Sequence, residues 1–144
     1  MPLDRRRMKL HGVLETCLYA ADLGGVRPFY REVLGFELIA EEEGRHLFFR
    51  CGEAMLLVFN PEKTASGSTL VGEVPVPAHG AHGPGHAAFR VEEAELGAWR
   101  ERLKECGVAI ESEIAWPKGG WSIYFRDPAG NSLELATPAV WGLA

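Results

Sequence analysis

The chain has 144 residues, of which 47% are apolar and 24% are charged, and its formal net charge is −5. These values are typical of one globular domain, or of two half-size modules that share a core, and they exclude a disordered or fibrous protein. The acidic balance lacks the basic footprint of a general nucleic-acid binder, and the longest apolar run, Ala54 to Phe59, is too short to cross a bilayer. Three widely spaced cysteines predict neither a disulfide framework nor a clustered zinc site, which favours the cytoplasm.

The first half of the chain predicts a strand, a helix and three further strands. Asp22 is a suitable N-cap for a helix that runs toward Leu34, and Gly35 is suited to end it. A proline deep in a helix costs about 3 kcal/mol, so we expect the regular helix to start near Val26, with Pro28 in its first turn. The expected strands cover residues 10–20, 36–42, 45–50 and 54–60, after a frayed basic tail at residues 1–8.

A long segment and a second set of elements follow. Residues 61–82 are rich in Pro, Gly, Ser and Thr and predict a linker or a functional flap, with one short strand over 70–74. A helix over 93–106 is expected to pack through Leu96, Trp99, Leu103 and Cys106. Strands are expected at 86–91, 108–115, 120–126 and 131–137, with a tight turn at 127–131.

The second half repeats the order of the first, which predicts an α+β fold of two tandem βαβββ modules. The segment from Met55 to Pro61 aligns with Ser132 to Pro138, and Glu15 aligns with His86. We expect the two modules to supply a curled mixed sheet around a shared cleft. The expected divisions are a tail at 1–8, a first module at 9–62, a connecting loop at 63–83 and a second module at 84–144.

Three polar side chains stand out on the predicted strands. Glu134 is a lone carboxylate in an apolar strand, where burial is costly unless the group is paired or binds a metal. Glu15, His86 and Glu134 share one explanation if they converge on a single divalent ion. Taken singly, each has an ordinary alternative: an ion pair of Glu15 with Arg90 or Arg126, a core histidine, and a salt-bridge carboxylate.

The order of motifs resembles that of the vicinal oxygen chelate superfamily, which includes glyoxalases, fosfomycin-resistance thiol transferases, extradiol dioxygenases and bleomycin-resistance proteins. The resemblance covers roughly residues 10 to 138. The first motif is Glu15-x2-Leu18-x3-Asp22-Leu23-x5-Phe29-Tyr30-x3-Leu34-Gly35-Phe36. The others are Gly85-His86-Ala87-Ala88-Phe89-x-Val91 and Tyr124-Phe125-x-Asp127-Pro128-x-Gly130-Asn131-x2-Glu134-Leu135.

The resemblance implies a metal cleft whose ligand positions fall on Glu15, Leu57, His86 and Glu134. Leu57 cannot bind a metal, so the implied set is Glu15, His86 and Glu134, holding one Mn²⁺, Fe²⁺, Co²⁺, Ni²⁺ or Zn²⁺ ion. Glu15 or Glu134 is also implied as a group that moves a proton.

Further positions implied by the resemblance face the substrate. These are Cys17, Ser122, Tyr124 and Arg126. The residues Trp116, Trp121 and Gly119-Gly120 predict either a flap over the site or packing at a loop base or subunit interface.

The resulting hypothesis is a metal-dependent enzyme that acts on a small molecule chelated through vicinal oxygens, by isomerase, lyase or thiol-transferase chemistry. One alternative is a metal-free protein that sequesters a small molecule, as bleomycin-resistance proteins do. An extradiol dioxygenase is the other, disfavoured by the short chain and by Glu15. We expect a homodimer, whose modules pair within or across subunits, and no nucleic-acid or membrane partner.

Overall fold

The first half of the chain forms one mixed sheet in the strand order β1-β4-β3-β2. The computed structural model describes residues 5–66 and 69–144. β1 runs parallel to β4, and the other neighbours are antiparallel. The elements are β1 (Glu15–Tyr19), α1 (Leu23–Pro28), β2 (Glu37–Glu42), β3 (His46–Cys51) and β4 (Ala54–Phe59). The predicted βαβββ order is therefore confirmed for this half.

The start of the first helix differs from the prediction. Asp22 caps α1 by accepting a hydrogen bond from the Gly25 amide at 3.1 Å, and the helix begins at Leu23 rather than near Val26. Pro28 is the last residue of α1, and a π-helical turn follows at Phe29–Val33. Because proline has no N–H and its ring crowds the preceding turn, the α-helical bonding changes to π at this point.

The first strand is shorter than predicted. Residues 10–14 lie outside any strand, and Leu10 and Val13 are 97% and 76% exposed. The Leu14 carbonyl accepts a hydrogen bond from Met55, the second residue of β4. Because β4 begins at Ala54, residues before Leu14 have no neighbouring strand to pair with. Residues 1–4 of the predicted tail lie outside the described residues, and Arg5–Arg7 forms a 3-10 turn.

The connecting segment contains a short helix and a hairpin. α2 (Pro61–Thr64) follows β4 directly, and β5 (Thr69–Val71) pairs with β6 (Val74–Val76). The single strand predicted over 70–74 is therefore wrong, because Gly72, with a φ of +62°, turns the chain back there. The predicted loop includes residues 67–68, which lie outside the described part of the chain.

The second half repeats the first sheet in the order β7-β10-β9-β8. Glu15 lies opposite Met55 in the first sheet, as His86 lies opposite Ser132 in the second. This register confirms the alignment of the two halves, and the α+β class is confirmed with it. The elements are β7 (His86–Arg90), α3 (Leu96–Glu105), β8 (Ser112–Ala115), β9 (Trp121–Arg126) and β10 (Ser132–Ala136), and a 3-10 turn follows at Pro138–Trp141.

One hydrophobic cluster joins the two modules. Leu96 and Leu103 of α3 are buried as predicted, Trp99 is half-buried, and Cys106 is exposed. Each sheet packs into this cluster through the face opposite to the one that carries Glu15 or Glu134. Among the largest fully buried side chains are Tyr30, Phe49, Phe125, Leu18, Leu56 and Leu133. Within the described residues, no helix is long and apolar enough to span a membrane.

A buried polar junction also links the modules, through the predicted turn at 127–131. The Tyr30 hydroxyl donates to Asp127 Oδ2 at 2.5 Å, and the Asn131 and Ala129 amides donate to Asp127 Oδ1 at 2.9 Å. Asn131 donates from Nδ2 to the Tyr19 carbonyl at 3.1 Å, and its Oδ1 accepts from the Gly85 amide at 2.8 Å. Since these bonds cross from β1 and the π turn to the start of β7, they fix the two sheets relative to each other.

Candidate active site

One face of the second sheet carries the predicted polar residues. Glu134 of β10 lies opposite Ala88 of β7 and Tyr124 of β9. Side chains two residues apart on a strand point to the same face. His86, Glu134 and Tyr124 therefore project together.

These three side chains line a cavity of about 630 Å³. The loop between β8 and β9 contributes Trp116 and Lys118, and the C-terminal turn contributes Val140 and Trp141. Val140 and Trp141 are not predictable from sequence spacing, because only the three-dimensional return of the C-terminus brings them there. Trp121 is not part of this wall: its indole N–H donates to Glu93 at 3.1 Å, ahead of α3.

His86 is held in one tautomer. Its Nδ1 lies 2.9 Å from the Ser132 carbonyl oxygen, which only accepts hydrogen bonds, so Nδ1 carries the proton. In the neutral ring, Nε2 then has a free lone pair. This is the arrangement of metal-binding histidines, whose second ring nitrogen donates to a carbonyl or carboxylate.

Glu134 is oriented from its other side. Its side chain is only 9% exposed, and its Oε2 accepts a hydrogen bond from the Ser122 hydroxyl at 2.5 Å. Oε1 lies 3.2 Å from His86 Nε2. One oxygen of the buried carboxylate thus faces the His86 imidazole, and the other is held by the Ser122 hydroxyl.

The chemistry of this pair fits a shared cation. Nε2 and Oε1 both carry lone pairs, so their approach requires either a proton shared between them or a metal ion. Neighbouring nitrogen and oxygen ligands with bonds of about 2.1 Å lie about 3.0 to 3.4 Å apart, and the observed 3.2 Å falls within this range.

Glu15 lies elsewhere on the chain. It is exposed at the start of β1, on the face of the first sheet that also carries Cys17 and Leu57. Among the described residues, no three His, Cys, Asp or Glu side chains are close enough to hold a metal. The structure therefore brings His86 and Glu134 together but does not bring Glu15 to them within one chain.

The ordinary alternatives for Glu15 are not realised in this chain. Arg126 pairs with Glu111 at 3.0 Å and also donates to the Gly130 carbonyl. The Arg90 guanidinium contacts the backbone carbonyl of Ala144.

The residues expected to face substrate occupy different environments. Tyr124 lines the cavity, and burial, followed by the negative charge of Glu134, raises the pKa of its hydroxyl. Ser122 is fully buried behind Glu134, and Arg126 is exposed in its ion pair. Cys17 lies with Glu15, and burial, followed by the Glu15 carboxylate, raises the pKa of its thiol. These four assignments stay predictions.

A larger groove is lined by residues of both modules. Its volume is about 810 Å³, and its walls include Val13, Phe36, Phe89 and Trp99. These walls are mainly apolar and lack the His86–Glu134 pair. The smaller cavity is therefore the better candidate for chemistry.

Comparisons with known proteins agree with this fold. The metallothiol transferase FosB of Staphylococcus epidermidis is 28% identical over 131 residues, covering 90% of this chain and 84% of that protein. FosB of Bacillus licheniformis is 27% identical over 134 residues, covering 92% and 79%. The crystal structure of lactoylglutathione lyase from Agrobacterium tumefaciens superposes with a TM-score of 0.88 at 38% identity, covering 94% of this chain and 100% of that one.

A family model describes most of the sequence. It spans residues 12–135 and thus includes both sheets and all three predicted metal ligands. The chain belongs to the Glyoxalase/Bleomycin resistance protein/Dioxygenase superfamily.

Proposed function

We propose that this chain is a metal-dependent enzyme that binds a small molecule through two neighbouring oxygens and carries out thiol transfer or lyase chemistry on it. The observation that carries the proposal is the pair of lone-pair atoms, His86 Nε2 and Glu134 Oε1, oriented 3.2 Å apart in a cavity wall. Relatives named metallothiol transferase and lactoylglutathione lyase support this choice of chemistry.

The third ligand in this proposal is Glu15 of a second copy of the chain. Glu15 is exposed on its own sheet, and two protein ligands leave a divalent ion short of the three that catalytic sites commonly use. The segment before it exposes Leu10, Val13 and Leu14, which suits a contact with another subunit. The enzyme is accordingly a homodimer whose sites are completed across the interface.

The bound ion would be Mn²⁺, Fe²⁺, Co²⁺, Ni²⁺ or Zn²⁺, since one imidazole and two carboxylates suit all of them. Such an ion supplies Lewis-acid stabilisation of negative charge on a substrate oxygen. His86 and Glu134 hold it, while Ser122 keeps the second oxygen of Glu134 occupied. Because both Glu134 oxygens are engaged, Glu15 is the carboxylate left to move a proton.

The cavity walls supply orientation. A tyrosine hydroxyl is protonated at neutral pH, and burial raises the pKa of Tyr124 further in the same direction. Tyr124 therefore serves as a hydrogen-bond donor to a substrate oxygen rather than as a base. Trp116 and Trp141 add apolar surface to the cavity walls. The three cysteines of the chain are free thiols, which suits the reducing cytoplasm.

The first test is metal binding by purified protein, measured by plasma mass spectrometry and by calorimetric titration with Mn²⁺, Co²⁺, Ni²⁺ and Zn²⁺. We expect one ion per chain in the wild type and its loss in His86→Ala and Glu134→Gln. Glu111→Gln, which removes an exposed carboxylate paired with Arg126, is the control and should bind normally.

Activity is then assayed with the preferred ion, as thiol addition to fosfomycin and as cleavage of lactoylglutathione. Mixing inactive Glu15→Gln with inactive Glu134→Gln should restore part of the activity, because a mixed dimer has one site with all ligands. A wild type that contains no iron or other metal by plasma mass spectrometry and binds none of the four titrated ions would contradict the proposal and point to a metal-free small-molecule binder.

A further inference from the structure

A chain of two hydrogen bonds runs from the cavity wall to the buried side of Glu134. The Trp116 indole N–H donates to the Ser122 hydroxyl oxygen at 2.8 Å, and that hydroxyl donates to Glu134 Oε2 at 2.5 Å. The direction is fixed chemically, because an indole N–H only donates and a carboxylate only accepts. Ser122 is the one member that can do both, and it is fully buried.

The loop that carries Trp116 is itself held in place. The Trp116 amide donates to the Gly120 carbonyl, and the Gly119 amide donates to the Trp116 carbonyl, both at 3.0 Å. Gly120 packs so closely on the C-terminal turn that an added Cβ would lie 2.5 Å from the Val140 nitrogen. Backbone hydrogen bonds and packing against the C-terminal turn therefore hold the turn that carries the Trp116 indole.

We propose that Trp116 is a positioning residue for the metal ligand Glu134. Its indole N–H donates a hydrogen bond to the Ser122 oxygen, which orients the Ser122 hydroxyl so that its single proton points to Glu134 Oε2. The carboxylate is thereby held with Oε1 facing His86. The inference rests on the proposed function in that Oε1 is taken to face an ion. Because the Trp116 ring also lines the cavity, a ligand lying against that ring touches the residue that orients the metal ligand.

The competing explanation is that Trp116 only packs the base of the loop. Trp116→Phe separates the two, since it keeps an aromatic ring and removes the N–H. Trp121→Phe is the matched control, because Trp121 is similarly exposed but donates to Glu93 outside the site.

The first experiment uses metal-free protein and reads the indole N–H signals of the four tryptophans by ¹⁵N–¹H NMR. The signal lost in Trp116→Phe is that of Trp116, and we expect Ser122→Ala to shift that signal and to speed its exchange with solvent. The Trp121 signal should stay in place. If Ser122→Ala changes neither the position nor the solvent exchange of the Trp116 signal, the inference is wrong, whatever the metal content of the protein.

The second experiment titrates Co²⁺ into the four variants Ser122→Ala, Trp116→Phe, their combination and Trp121→Phe. Removing a residue that orients a metal ligand typically weakens metal binding about 10- to 100-fold. We expect Ser122→Ala to fall in that range and Trp116→Phe to lose about tenfold, with the double variant no weaker than Ser122→Ala, because both act through one hydroxyl.

The outcomes separate the two proposals. Fully additive losses, or a Trp116→Phe variant with unchanged Co²⁺ affinity, would refute the positioning role. A lower melting temperature with unchanged affinity would likewise assign Trp116 to packing alone. If the wild type binds no ion at all, the proposed function fails, and the NMR comparison still decides whether Trp116 orients Ser122.

Discussion

Replacing Tyr30 with phenylalanine should destabilise the junction between the two modules. The change removes one hydroxyl, which donates to the buried carboxylate of Asp127 at 2.5 Å, and leaves the ring in place. Tyr30 has no exposed surface, and Asp127 is 4% exposed. Water therefore cannot replace the lost donor.

The magnitude follows from the kind of bond. A hydrogen bond to a charged group contributes about 1.5 to 3 kcal/mol, and Asp127 retains the donors from Ala129 and Asn131. We therefore expect a loss of about 2 kcal/mol in the free energy of unfolding. For a domain of this size, that corresponds to a decrease in Tm of about 5 to 8 °C.

The assay is guanidinium denaturation at pH 7, followed by circular dichroism, with Tyr19→Phe as the matched control. The Tyr19 hydroxyl is 2.7 Å from Nδ1 of His79, in a partly exposed contact with an imidazole. Its removal should cost less than about 1 kcal/mol. If Tyr30→Phe costs under about 0.5 kcal/mol, or no more than Tyr19→Phe, the argument that this bond holds the modules together is wrong.

Three further predictions test the same structure. Burial, and then the charge of Asp127, raise the pKa of Tyr30, so the unfolded chain releases this proton near pH 10 while the folded chain keeps it; wild-type stability should therefore fall above pH 10 by up to about 1.4 kcal/mol per pH unit more than that of Tyr30→Phe in parallel denaturation series. Gly120→Ala should cost more stability than Gly119→Ala in thermal melts, because both residues have positive φ but only the first would press a Cβ against Val140. Leu103→Ala should lower the free energy of unfolding by about 2 to 5 kcal/mol, measured by denaturant titration, because that side chain is fully buried on the inner face of α3.

Much of the fold is predictable from the sequence because each half is built from short elements with local sequence signals. Turn signals and short apolar strands give the βαβββ order twice, and the alignment of Glu15 with His86 matches the observed strand register. The predicted bounds are wrong where a strand-like segment has no neighbouring strand, or where a proline limits the backbone. Residues 10–13 have the apolar content of a strand but no neighbouring strand to pair with, and Pro28 ends α1 rather than starting it.

The candidate site was only partly predictable for a related reason. His86 and Glu134 come from strands that are paired in one sheet, so their meeting follows from the repeat. The contact of Trp116 with Ser122 depends on how a loop folds over a sheet, which no spacing encodes. The third expected ligand, Glu15, lies on the other sheet and does not meet His86 and Glu134 within one chain.

The repeat also gives the first module a set of positions equivalent to this site, and apolar and aromatic side chains occupy most of them. Strand register places Leu57 where the second module has Glu134, Phe48 where it has Tyr124, and His46 where it has Ser122. His46 stacks on Phe48 with ring centroids 3.9 Å apart, and Phe59 lies edge-on to both. Aromatic side chains thus take these positions in the first module, and a carboxylate in place of the buried Leu57 would be an unpaired buried charge rather than a second candidate site.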